Sequence, residues 1–330
     1  MYTNIPLFLS IVFVLTGLAA LAWSADVFVD GAAAVARKMG ISSFIIGMVV
    51  IGFGTSAPEL IVSVLSGVSD HSNLSLGNAY GSCIFNIAAI LGIAAMIRPL
   101  KVKPSIRYVA VPVLVAISVL SWFIIRDGAY SRADAFLQLG CFAVVLPAYC
   151  WFDQKTNGKS AAASPSSSTS SVWKDLAKLV VGLGVLVGSS HILVWGAVDL
   201  ARAVGVSELL IGLTIVAAGT SLPELASAVV SARKGEHEFV LGNIIGSNLF
   251  NTLAVVGLAG AISPFRNFSP LVAVRDLPLM VAMSLSILVF GMNWRRPMFN
   301  GRVGFVKGLV WLLSFVAYTA VMIYQETHGA

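Results

Sequence analysis

Charged residues are scarce in this sequence. Only 11% of its 330 residues are Asp, Glu, Lys or Arg, whereas 58% are hydrophobic. A soluble domain has roughly a quarter charged residues, so the composition excludes an ordinary soluble domain. Apolar runs of about 20 residues recur along the chain, long enough to cross a hydrocarbon core about 30 Å thick. The sequence therefore predicts an all-α polytopic membrane protein.

Cysteine and histidine are also rare, with three and four copies. Cys83, Cys141 and Cys150 lie in or beside apolar runs without the spacing of a metal site, which predicts small core residues. The net charge of +6 is attributed to loops and not to nucleic-acid binding. The first apolar run has no basic residue before it, which indicates a first span and not a cleaved signal peptide.

The apolar runs and the basic residues together predict a topology. Sixteen of the 21 Lys and Arg residues fall in odd-numbered loops, and the other five are Arg126, Arg132, Arg202, Arg266 and Arg275. The positive-inside rule then places the odd-numbered loops in the cytoplasm and both termini outside. The ten predicted spans lie at roughly 5–36, 41–69, 74–97, 106–125, 133–152, 174–204, 207–233, 239–262, 270–290 and 303–324.

The chain repeats itself at an offset of 165 residues. "GTSAPE" at 54–59 matches "GTSLPE" at 219–224, and the match extends without a gap from about residue 31 to Pro99 and Pro264. The predicted repeats are 1–152, with its motif at 44–92, and 174–330, with its motif at 209–257. The Ser-, Ala- and Pro-rich segment 153–173 is predicted to be a flexible cytoplasmic linker.

Each predicted repeat has five spans, so the second copy enters the membrane upside down. Inverted repeats with broken helices in matching places are typical of secondary transporters, with the ion site at the midplane. We therefore expect about ten helices in two inverted five-helix repeats, with broken helices at the centre.

The repeated motif predicts the break and the polar groups around it. Pro58 and Pro223 cannot continue a helix, and the carbonyl groups that they release need a partner in hydrocarbon. A glutamate inside a span is costly and marks a functional site. The polar residues that the repeat places four apart on shared helix faces are Thr55 and Glu59, Thr220 and Glu224, Ser82 and Asn86, and Ser247 and Asn251.

Every polar group in these motifs binds through oxygen. No His or Cys belongs to this cluster of ligands, which argues against zinc, copper or iron and favours a hard cation. Calcium takes about 6–8 oxygen ligands, which two glutamates, two threonine carbonyls and a few amides or waters supply. Sodium can use the same atoms, whereas magnesium fits less well because it keeps its water.

The paired "GTSxPE" motifs, each followed by "GN…GSxxFN", resemble the two alpha-repeats of the calcium/cation antiporter superfamily. The resemblance covers nearly the whole chain. Within the superfamily, the chain resembles a bacterial sodium/calcium exchanger of the inner membrane. This resemblance implies that Glu59 and Glu224 are the central calcium and sodium ligands. It further implies adjoining ligands at Thr55, Thr220, Ser56, Ser221, Ser82, Ser247 and the carbonyl groups of Gly52 and Ala217.

The sequence departs from that family's pattern at Asn86 and Asn251. Family members often have an Asp at one of these positions, and in the family an Asp in the second repeat goes with potassium co-transport. Proton/calcium exchangers of the superfamily usually show "GNxxE", but Gly81 and Gly246 stand at that fifth position. A potassium-dependent or proton-coupled exchanger therefore remains the alternative, followed by a cation channel.

The predicted function is calcium/sodium exchange by alternating access, and not enzyme catalysis. A hydrolase could use Ser56 or Ser221, but no His or Lys is placed to activate either one. No cofactor is expected, since calcium and sodium bind as cargo. The expected partners are these ions and the bilayer, with the protein acting as a monomer.

Overall fold

Helices form nearly all of the chain. A computed structural model describes residues 7–161, 171–205, 215, 217–266, 268–293 and 299–328. One two-stranded antiparallel ribbon pairs β1 (Leu100–Val102) with β2 (Gly301–Val303). The helices are α1 (Leu7–Met39), α2 (Ser43–Thr55), α3 (Ala57–Val68), α4 (Ser72–Ile97), α5 (Ile106–Ile125), α6 (Arg132–Ala161), α7 (Val172–Ala203), α8 (Ala217–Thr220), α9 (Leu222–Lys234), α10 (His237–Ile262), α11 (Val272–Phe290) and α12 (Phe305–His328).

The helices confirm the predicted class, an all-α polytopic membrane protein. In the described part of the chain, eight helices are long and apolar enough to span a membrane, and the bent pair α2–α3 makes a ninth. The predicted seventh span, 207–233, lies partly outside the described residues, and its described part includes α8 and α9. Helix α6 continues to Ala161 and α7 begins at Val172, so both helices extend into the segment predicted as a linker.

The predicted helix breaks lie at Ser56 and Ser221. Helices α2 and α3 meet at an angle of 45°, and Pro58 is the second residue of α3, where its missing N–H leaves no intrahelical bond unmade. Pro223 has the same place in α9. The carbonyl of Gly219, which Pro223 cannot pair, accepts a hydrogen bond from Ser190 Oγ at 2.9 Å. The break is thus stabilised from α7.

Glycines allow α10 to lie directly against α2. A Cβ atom added at Gly242 would lie 2.4 Å from the Phe44 carbonyl oxygen, and one at Gly246 would lie 2.2 Å from that of Met48. No side chain fits between the two backbones at these points. Gly242 and Gly246 therefore form a face that allows close approach of the two helices.

The long helices α1 and α7 pack against each other as an antiparallel pair. An added Cβ at Gly17 would lie 2.8 Å from the Leu193 nitrogen, and one at Gly182 would lie 2.9 Å from that of Phe28. An ion pair between Lys38 and Asp175 joins one end of this pair. Two repeat-related glycines thus bring the two halves together along these helices.

A second ionic contact joins α1 to the rest of the protein. Lys234, the last residue of α9, places its Nζ 2.7 Å from carboxylate oxygens of both Asp26 and Asp30. These two acids lie one turn apart on α1 and are more than half exposed. Their partner is therefore a lysine of the other half of the chain.

Candidate cation-binding site

The two helix breaks bring Glu59 and Glu224 into the interior, where both side chains are fully buried. Ser221 Oγ donates to Glu59 Oε1 at 2.8 Å. Ser56 Oγ donates to Glu224 Oε1 at 2.9 Å. Each repeat therefore supplies the hydroxyl that hydrogen-bonds the carboxylate of the other repeat, as expected for two inverted copies that meet at one site.

The second carboxylate oxygen of each glutamate has no hydrogen-bond partner in the described part of the chain. Glu59 Oε2 and Glu224 Oε2 are both buried without a hydrogen bond. Throughout the described ranges, neither acid pairs with a lysine, arginine or histidine. Buried polar groups are nearly always hydrogen-bonded, and a buried unpaired charge is costly. These two oxygens are therefore the atoms that a cation from outside the protein can neutralise.

Hydroxyl and carbonyl oxygens surround the two acids. Thr55 Oγ1 donates to the Ile51 carbonyl oxygen at 2.9 Å, which leaves its lone pairs available, and it lies near Glu224. Thr220 lies near Glu59 in the same way. Because a threonine hydroxyl that donates one hydrogen bond can still accept, both threonines can act as cation ligands.

The serines of α4 and α10 complete this layer. Ser82 Oγ lies 3.5 Å from Glu59 Oε1 and 3.3 Å from Ser221 Oγ. Ser247 Oγ donates to the Gly52 carbonyl oxygen at 3.2 Å. Ala217 is the first residue of α8 and the repeat counterpart of Gly52. The site thus draws oxygens from α2, α3, α4, α8, α9 and α10.

The two asparagines predicted as ligands, Asn86 and Asn251, are also fully buried. Asn86 Nδ2 donates to Asn248 Oδ1 at 3.0 Å, a contact between the repeats. Among the residues that the structure describes, Asn86 Oδ1 and both polar side-chain atoms of Asn251 have no hydrogen-bond partner. Both residues lie in π-helical turns, Asn86–Leu91 and Phe250–Val255, a geometry often found at functional sites.

Two further asparagines, Asn78 and Asn243, bind the backbone beside the acids, a role that was not predicted from the sequence. Asn78 Nδ2 donates to the Glu59 carbonyl oxygen at 3.0 Å, and Asn243 Nδ2 donates to that of Glu224 at 3.3 Å. Each amide therefore fixes the first turn of the helix that carries the acid. The repeated "GN" dipeptide was a signal for them, but a dipeptide does not show which carbonyl an amide will reach.

A buried set of oxygens between two inverted repeats with broken helices defines a membrane cation transporter. The model of the family described as sodium/calcium exchanger protein matches residues 9–151 and 174–324. The chain belongs to this family, and the resemblance in its repeated motifs is confirmed.

Two relatives match over nearly their whole lengths. The candidate antiporter CaxA of Alkalimonas amylolytica is 38% identical over 93% of this chain and 96% of its own. Inner membrane protein YrbG of Escherichia coli is 34% identical over 94% and 97%. The solved sodium-calcium exchanger NCX_Mj has 29% identity and a TM-score of 0.82, covering 96% of this chain and 99% of its own. The fold of this exchanger confirms the inverted-repeat architecture.

Proposed function

We propose that this protein exchanges calcium for sodium across the bacterial inner membrane. The observation that carries the proposal is the pair of buried, unbonded oxygens, Glu59 Oε2 and Glu224 Oε2. One calcium ion or two sodium ions cancel the charge of two carboxylates, and neutral hydroxyl and carbonyl oxygens complete either shell. The name of NCX_Mj, a sodium-calcium exchanger, supports sodium and calcium as the two exchanged ions.

Electrostatics gives a reason for exchange without leak. Without a cation, two close carboxylates in a medium of low dielectric constant repel each other, so enclosing the empty site is unfavourable. Only the loaded carrier changes sides, and α1 and α7 then slide past the remaining helices as one unit. The glycine contacts and the Lys38–Asp175 ion pair that join α1 to α7 support movement as a unit.

We further propose that Thr55, Ser56, Ser82, Thr220, Ser221 and Ser247 and the carbonyls of Gly52 and Ala217 complete the shell of the cargo ions. Asn86 and Asn251 are its outer ligands. The linker faces the cytoplasm and both termini face outside, in keeping with the distribution of basic residues.

The test replaces each central acid by its neutral isostere. Glu59→Gln and Glu224→Gln preserve shape and remove one charge, so calcium uptake should fall at least tenfold, an effect of about 1.4 kcal/mol or more. The control is Glu236→Gln, which changes a loop acid between α9 and α10. Uptake is measured in proteoliposomes at matched protein content. Near-normal uptake by either central variant would refute the assignment.

A further inference from the structure

One face of the molecule, where α4 ends and α5, α10 and α12 begin, carries a cluster of cations. In the ribbon on this face, Lys101 pairs directly with Arg302, and both side chains are exposed. Side chains directly opposite in an antiparallel pair have Cβ atoms about 4.5–5.5 Å apart, and like charges there are destabilising. Neither cation has an acidic partner among the residues that the structure describes.

Two further donors adjoin this like-charged pair. Arg98 lies over Gly235 and donates to the Arg233 carbonyl oxygen at 3.2 Å. The positive charges of Arg98, Lys101 and Arg302 all act on the imidazole of His237. Its Nδ1 atom is buried and has no hydrogen-bond partner within the described ranges.

Glu238, an acid beside this cluster, does not neutralise it. Glu238 also acts on the His237 imidazole, but its carboxylate pairs with Lys103. The helices α5, α10 and α12 begin on this face, and helix N-termini carry partial positive charge. Arg98, Lys101, Arg302 and His237, which we call the basic cluster, are therefore suited to a ligand with anionic oxygens.

Exposed apolar side chains lie beside the basic cluster. Phe305 and Val306, in the first turn of α12, are 55% and 73% exposed and follow Arg302 closely in the chain. An apolar surface in a spanning helix faces lipid chains, while the cations beside it lie at the level of the headgroups. Cations next to an apolar helix surface are complementary to a phospholipid, in which an anionic phosphate is joined to apolar acyl chains.

We propose that the basic cluster binds the phosphate group of an anionic phospholipid. Basic pockets between spanning helices on the cytoplasmic side are suited to such headgroups, and this face has most of the basic loops. The phosphate accepts from Lys101 and Arg302 and removes the repulsion across the ribbon. Because β1 follows α4 and β2 precedes α12, the lipid stabilises the junction between the two halves.

The experiment compares wild-type protein with the double variant Lys101→Gln/Arg302→Gln in phosphatidylcholine nanodiscs, with and without phosphatidylglycerol. Native mass spectrometry counts retained phosphatidylglycerol, and thermal unfolding gives the Tm. We expect phosphatidylglycerol to raise the Tm of the wild type, and its affinity to fall about fivefold for each cation removed. Lys178→Gln, an exposed basic residue of α7, is the matched control and should behave like the wild type.

The variant has a second expected signature. In phosphatidylcholine alone, it should be at least as stable as the wild type, because the repulsion between Lys101 and Arg302 is gone. Equal retention of phosphatidylglycerol by wild type and double variant would overturn the proposal. Full stabilisation of the wild type by inorganic phosphate in neutral nanodiscs would also overturn it, since the ligand would then be a soluble anion.

Discussion

Glu59 and Glu224 each use one carboxylate oxygen within the protein and leave the other unbonded. The serine that makes the shortest hydrogen bond to each acid belongs to the other repeat, so a change in one half of the site alters the acid of the other. Hydrogen bonds to charged groups contribute about 1.5–3 kcal/mol. The serines therefore hold the acids in place, and the free oxygens remain for the cargo.

Asn251 is the residue through which the choice of coupling ion can be tested. Its side-chain amide is neutral and fully buried, and it has no hydrogen-bond partner in the part of the chain that the structure describes. Asn251→Asp adds a third acid, which a proton or a further cation must neutralise. We expect calcium flux through this variant to depend more strongly on pH and to require potassium. The flux should differ about tenfold between the most and the least favourable of these conditions.

The measurement for Asn251→Asp is sodium-driven calcium flux with and without potassium at several pH values. Asn300→Asp, which places the same new charge on an exposed loop, should leave both dependences unchanged. If Asn251→Asp also leaves both unchanged, the residue lies outside the ion shell and serves only to pack the helices.

At the scale of the helices, the site depends on the close approach of α2 and α10. Gly52, a predicted ligand, lies in this interface, and an added Cβ there would be 2.9 Å from the Ser247 nitrogen. Backbone atoms cannot turn aside as side chains do. The helix packing therefore sets the distance between the Gly52 carbonyl and Ser247.

Gly246→Ala tests this packing. The new methyl would lie 2.2 Å from the Met48 carbonyl oxygen, so α2 and α10 must separate, at a cost of about 1–3 kcal/mol. We expect a lower Tm in detergent and weaker calcium binding. Gly184→Ala in α7, where no atom of the described residues lies within 4 Å of the added Cβ, should keep both near wild-type values. Equal effects of the two changes would contradict the packing account.

Local rules predicted the helix breaks, but they did not predict the contacts between elements. Pro58 and Pro223 fix the breaks because a missing N–H acts within one turn. The contacts of Asn78 with the Glu59 carbonyl and of Lys234 with Asp26 join residues distant in sequence, so they depend on the final packing. The ribbon was also not predicted, because three-residue strands leave no alternating pattern in a loop.

At the scale of the whole molecule, the duplication determines both the architecture and the site. Helix α4 begins at Ser72 and ends at Ile97, and α10 begins at His237 and ends at Ile262, which is the offset of 165 residues found in the sequence. The odd number of predicted spans in each half makes the copies antiparallel. The sequence was sufficient for this level because a repeat and its hydropathy need no knowledge of tertiary contacts.

The proposed orientation has its own test. We expect a cysteine at position 165 (Pro165→Cys) to react in whole cells only with a membrane-permeant thiol reagent. A cysteine at the C-terminus (Ala330→Cys) should also react with an impermeant one. The unmodified protein, whose Cys83 is buried and whose Cys141 and Cys150 are half-buried, gives the background. Labelling of position 165 by the impermeant reagent would contradict the proposed orientation and support the opposite one.

Sodium-driven calcium flux tests the central claim most directly. Proteoliposomes that contain the purified protein are loaded with sodium or potassium, or with a buffer of lower pH to impose a proton gradient. They are then diluted into buffer without the loaded ion or at higher pH, and the uptake of labelled calcium is followed. We predict that an outward sodium gradient alone drives calcium uptake, that potassium neither drives nor is needed for it, and that Glu59→Gln abolishes it. Calcium uptake that requires potassium, or that a proton gradient drives without sodium, would contradict the account.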